Sequence, residues 1–104
     1  VSRSVAFTGE NDPVLGGLKE ILRPLVAFYL DLHKNPELSG EESRTAARFA
    51  EWLEKERYEV TAGVGGHGVV GVLRNGEGPR VLLRAELDAL PVRERTGLAY
   101  ASEG

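Results

Sequence analysis

The chain predicts an α/β fold made of two helices followed by three strands, and three observations carry that reading. Apolar residues first recur at the spacing of an amphipathic helix. A serine followed three residues later by a glutamate then opens a second helical stripe, and beyond Arg57 the apolar pattern alternates at the period of a strand. With 104 residues there is room for one domain with a thin core, since a chain of this size buries roughly 65% of its unfolded surface.

The elements follow in order. Residues 1–13 are polar and unpatterned and are expected to form an unstructured lead-in. In the first helix Leu18, Ile21, Leu22, Leu25, Tyr29 and Leu32 keep the i, i+3, i+4, i+7 spacing. Pro24 lies inside this stripe and predicts a kink or a restart, with Pro24 in the first turn of a second segment. The element should end between His33 and Asn35, ahead of Pro36. Ser39-Gly40-Glu41-Glu42 has the form of a capping box, so a helix is expected over Gly40–Glu56. Ala46, Phe49, Ala50 and Leu53 form its apolar stripe, with Trp52 at the margin, and Arg44, Arg48, Glu51, Glu54, Lys55 and Glu56 form its wet face. Strands are expected at Tyr58–Val64, Val69–Leu73 and Arg80–Arg84. The glycine cluster Gly65-Gly66-His67-Gly68 and the run Asn75-Gly76-Glu77-Gly78-Pro79 separate them, and the helices would pack on one face of the sheet.

Composition narrows the classes of function. The 13 basic residues are dispersed among 16 acidic ones for a net charge of −3, which argues against a nucleic-acid footprint. The absence of cysteine removes disulfides, thiolate ligands and a thiol nucleophile and is consistent with a cytoplasmic location. No stretch approaches the ~20 apolar residues of a membrane span, so no membrane partner is expected.

Gly63-Val64-Gly65-Gly66-His67-Gly68 matches the G-x-G-x-x-G pattern of dinucleotide sites, but Gly68 leads into Val69-Val70-Gly71-Val72-Leu73, a strand-like run. The fingerprint requires a helix there, whose amino end holds the pyrophosphate, so a glycine-rich hairpin turn is expected instead. His33, in the last turn of a helix, reads as a capping or packing residue, and His67 as a solvated loop residue. No histidine spacing typical of a metal site is present.

The chemistry-bearing segment is Leu83-Arg84-Ala85-Glu86-Leu87-Asp88-Ala89-Leu90-Pro91. Here an apolar strand ends in two carboxylates at spacing two, which a pleated strand would project from one face at its carboxyl end. Together with Asp31-Leu32-His33-Lys34-Asn35-Pro36-Glu37-Leu38-Ser39-Gly40-Glu41-Glu42 and the Gly-Val-Gly-Gly hairpin, it resembles the two-metal aminoacylase and hippurate-hydrolase type amidohydrolases, in the branch that includes the auxin-conjugate hydrolases. The resemblance runs from about Leu25 to Ser102.

It implies that residues 14–104 are the opening, incomplete portion of a metallopeptidase-type catalytic domain. The complete enzyme is then expected to hydrolyse the amide bond of a small N-acyl amino acid or related conjugate with two divalent ions, zinc, manganese or similar. Asp88 is carried over as a residue that orients a metal ligand. Glu86 falls where distant relatives have a histidine ligand and this branch usually has aspartate. The ligands themselves are expected downstream of Ser102, so this chain alone is expected to bind no metal and to be inactive. A homo-oligomer is compatible with this reading. The rival reading is a free-standing, non-catalytic α/β module that binds a partner through exposed strand edges.

Overall fold

A computed structural model describes residues 12–102. Its elements run α1 (Leu18–Lys34), α2 (Ser43–Lys55), β1 (Glu59–Val64) and β2 (Gly68–Val72), an α/β arrangement of two helices and an antiparallel hairpin. The lead-in expected over residues 1–13 lies almost wholly outside the described residues. At its end the Asp12 carboxylate accepts the amides of Val14 and Leu15 at 2.8 and 3.0 Å and so closes the turn that precedes α1.

Helix α1 passes through Pro24 without the expected restart. The proline withholds one amide from the ladder, and the helix continues on both sides of it. The ends agree with expectation: α1 stops at Lys34, with Asn35 as its C-cap. The buried residue of α1 is Phe28, on the same stripe as Ile21, Leu25 and Leu32, whereas Leu25 and Tyr29 remain 41% and 62% exposed. Phe28 meets Phe49 and Trp52 of α2 edge-on, with ring centroids 5.0 and 4.8 Å apart, and Arg48 lies over its ring at 5.6 Å. Trp52 thus belongs to the aromatic cluster. Arg44 stays exposed and Arg48 half-buried, as a wet face allows, but neither is merely solvated. Both reach Asp31 of α1, at 2.7 and 3.2 Å, and tie the helices together. Glu51 keeps the solvated role, paired with Arg48 at 3.6 Å and Lys55 at 3.1 Å along α2.

Helix α2 begins at Ser43, three residues after the expected start, and lacks the expected capping box. Its N-cap, Glu42, makes no side-chain cap and instead accepts the Gly40 amide at 2.6 Å. The first-turn amides of Arg44 and Thr45 go to the carboxylate of Glu37, seven and eight residues upstream. At the other end Arg57 takes φ 65°, the Arg57 amide donates to the Glu54 carbonyl, and the Tyr58 amide donates to the Leu53 carbonyl. This closes the helix and reverses the chain into β1.

Strands β1 and β2 pair with Val60 opposite Gly71 and Ala62 opposite Val69, and α2 packs on the hairpin. A Cβ on Gly71 would stand 3.0 Å from Leu53 Cδ1 and 3.3 Å from Tyr58 Cδ2, so the glycine is what lets the helix approach this closely. The G-x-G-x-x-G run is the hairpin turn, as expected from its context. The register shifts between Ala62 and Val64, and a Cβ on Gly68 would lie 2.3 Å from the Val64 carbonyl oxygen.

The third strand, expected at Arg80–Arg84, is absent among the described residues. Val81, Leu82 and Leu83 stand 86%, 88% and 92% exposed. Three consecutive apolar residues suit a strand covered on both faces and paired along its edges, and among the described residues none supplies that cover. The backbone regains a partner only at Ala89, which forms a parallel bridge with Leu38.

Candidate functional site

The candidate site begins with the segment after α1. Pro36 ends the helix, and Glu37 then turns its carboxylate under the first turn of α2 while its carbonyl accepts the Ala89 amide at 2.8 Å. The Pro36–Glu42 and Arg84–Pro91 segments, some fifty residues apart, therefore lie side by side. With the hairpin turn they line an open cleft of about 370 Å³ in which Ser39, Glu42, His67, Arg84, Glu86 and Asp88 converge.

Asp88 lines this cleft as an exposed residue on irregular chain. Glu86 lines it too, although the two acids are brought there by the Leu38–Ala89 bridge and not by the pleat of a strand. Glu86 lies 3.5 Å from Arg84, a solvent-exposed pair that contributes little to stability. His67 is half-buried at the cleft wall, which corrects its reading as a solvated loop residue. The cleft can orient a polar molecule through one guanidinium, three carboxylates and the imidazole of His67. Among the described residues no three histidine, aspartate or glutamate side chains come together in a group able to hold an ion.

His33 does pack, but in a cluster that crosses the chain. Its Nε2 lies 3.0 Å from Glu94 Oε1, its ring stacks on Tyr29 at 5.9 Å, and it meets Tyr100 edge-on at 6.2 Å. The other Glu94 oxygen accepts the Ser102 amide at 2.6 Å. Sequence reading missed Glu37 and Glu94 as organising residues. A glutamate just past a helix-ending proline and ahead of an apolar stripe was the available signal for the first. Nothing local marked the second, whose partner is 61 residues away.

Three carboxyl groups are held below their ordinary range. For Asp31 the main cause is the hydrogen bond from Arg44, with the Arg44 and Arg48 charges adding to it against a burial penalty. For Glu37 burial is the largest influence and acts upward, but the Thr45 side chain, the Thr45 and Arg44 amides and the Arg44 charge together outweigh it. For Glu94 the hydrogen bond to His33 leads, followed by the Ser102 amide. A carboxyl whose pKa is lower folded than unfolded adds stability that is complete above the unfolded value and lost as pH falls through the folded one. Thermal melts are therefore expected to show Tm level above about pH 5 and falling below it, as the three groups protonate. A Tm that rises on acidification through that window would contradict the assignment.

The chain is similar to several curated hydrolases. It is 45% identical to a hippurate hydrolase of Campylobacter jejuni over 73 residues, which is 69% of this chain and 19% of that protein. It is 37% identical to an N-acetyl-L-cysteine deacetylase of Bacillus subtilis over 95 residues, 90% of this chain and 22% of the relative. Thermostable carboxypeptidase 2 of Saccharolobus solfataricus is 42% identical over 88 residues, 83% of this chain and 22% of the relative. The chain thus spans about a fifth of the length of the curated relatives it matches. No family profile matches it. No solved structure matches it either. Among the described residues no helix is long and apolar enough to cross a membrane.

Proposed function

We propose, from the premise that this chain belongs to the amidohydrolase family, that it is the amino-terminal part of an enzyme that hydrolyses the amide bond of an N-acyl amino acid or related conjugate. The observation that carries this reading is the similarity to proteins named hippurate hydrolase and N-acetyl-L-cysteine deacetylase, which covers 69% and 90% of the chain. The complete enzyme uses two divalent ions, which supply a polarised carbonyl and an activated water when bound. Their ligands lie outside residues 12–102. Within this chain Asp88 orients a ligand of the assembled centre, and the cleft around it contributes one wall of the substrate site. The remaining four fifths of the enzyme supplies strands and helices that pair with and cover the Val81–Leu83 run. The enzyme acts on a small molecule in the cytoplasm.

A second reading rests on that same exposed run. Val81, Leu82 and Leu83, open to solvent, are a ready edge for a partner strand, as a free-standing non-catalytic module would need. One experiment separates the two. The full-length protein supplied with zinc or manganese is expected to release the amino acid from N-acetyl or N-benzoyl amino acids, and a chelator is expected to stop it. No release from any member of such a panel, with metal present, favours the binding module.

A further inference from the structure

The side chain and the main chain of Glu37 reach different parts of the site. Its Oε2 accepts the Arg44 amide at 3.1 Å and its Oε1 the Thr45 amide, in the first turn of α2, next to the buried Thr45. Its main-chain carbonyl accepts the Ala89 amide at 2.8 Å, and the next residue, Leu38, bridges Ala89 in parallel. Ala89 directly follows Asp88. Among the described residues, the Leu38–Ala89 bridge is the point at which the backbone of the largely exposed Val81–Leu90 stretch is tied to the rest of the fold.

We propose that Glu37 is a positioning residue for Asp88: its carboxylate locks residue 37 onto the amino end of α2, and the locked residue holds the Asp88–Ala89 backbone in place through its carbonyl. The inference rests on the role proposed for Asp88 and adds what sets that residue's location. The arrangement is rigid for a physical reason. Two first-turn amides converge on a single carboxylate, where the helix dipole favours negative charge, so residue 37 has little freedom to move. A loop carbonyl anchored in this way fixes its partner segment better than a bridge between two free loops would. Leu38 and Ala89 alone supply no such anchor, since each lies on irregular chain. Both motifs of the sequence, Pro36-Glu37-Leu38-Ser39 and Asp88-Ala89-Leu90-Pro91, are then halves of one device. Displacing a group at a reacting centre by about 1 Å is enough to slow turnover by orders of magnitude, so an anchor one residue away from Asp88 matters to the rate without touching substrate.

The test uses the full-length enzyme with Glu37→Gln and Glu37→Ala, read by hydrogen exchange and by kinetics. Glutamine keeps the shape but offers one accepting oxygen to two amides. Alanine offers none. Exchange at the Ala89 amide is expected to rise by about tenfold or more in Glu37→Ala and by less in Glu37→Gln. In Glu37→Gln kcat is expected to fall about tenfold with KM little changed. The double variant Glu37→Gln, Asp88→Asn is expected to be no slower than Asp88→Asn alone, because both act through the same group, whereas a general structural loss would add to it. Ala89 exchange that stays at the wild-type rate, with loosening confined to the first turn of α2, overturns the proposal and leaves the role of Asp88 standing. Faster Ala89 exchange with unchanged kcat overturns it as well. Wild-type turnover in Asp88→Asn removes the role of Asp88 and the positioning role of Glu37 together.

Discussion

Asp88→Asn in the full-length enzyme is expected to lower turnover by roughly 10–100 fold, the usual loss when a residue that orients a metal ligand is neutralised. The substitution keeps the shape of the side chain and removes its charge. Because Asp88 is exposed and the hydrogen bond of its neighbour Ala89 to Glu37 runs through the main chain, the fold should not change. The effect is to be read as kcat on an N-acyl amino acid at saturating metal, with circular dichroism and gel filtration matching the wild type. A drop that disappears at higher metal concentration locates the loss in ion binding, and one that persists locates it in the reaction. Turnover equal to the wild type would leave Asp88 a solvated acid at the end of an apolar run, and the catalytic reading would then rest on segments outside this chain.

The largest effect on stability is expected from Phe28→Ala. Phe28 is 8% exposed, and the other buried apolar residue among those described is Ala46, at 7%. Its ring makes both edge-on contacts with Phe49 and Trp52 and receives Arg48 on its face, so truncation removes the centre of the α1–α2 interface at one stroke. Phenylalanine-to-alanine changes in cores cost about 3–5 kcal/mol, and the thinness of this one, which can partly collapse, argues for about 3. That is a large share of the ~5–15 kcal/mol that holds a typical domain together. Urea titration of the 104-residue chain is expected to show the midpoint falling steeply, while Phe28→Leu, which preserves most of the volume, should cost under about 1.5 kcal/mol. Equal losses for alanine and leucine would mean that the aromatic contacts, and not the filled volume, dominate.

These two residues also show how far the chain could be read without its structure. Asp88 was singled out because its signal is a short motif, an acid two residues after another acid at the end of an apolar run, and the residue does line the cleft. Phe28 was missed although it lies on the same stripe as Leu25 and Leu32, because a helical stripe a hundred degrees wide has several candidate centres. Only the placement of Phe49 and Trp52 selects one.

By itself the sequence determined what depends on a residue and its near neighbours: the end of α1 at a residue before Pro36, the hairpin at the glycine cluster, the period of β1 and β2, and the class α/β. Proline geometry, positive φ at glycine and the alternation of side chains along a strand act within a few residues, so they are written locally. Tertiary structure alone decided the rest. Glu37 displaced the capping box because a carboxylate approaching from outside the helix reached the Arg44 and Thr45 amides. Arg44 and Arg48 on the wet face of α2 took up Asp31 because the neighbouring helix placed it within reach, and His33 found Glu94 from across the chain. The Val81–Leu83 run, apolar enough for a buried strand, stayed unpaired because a strand is stabilised by hydrogen bonds and cover from other segments, and no pattern of its own residues can provide them.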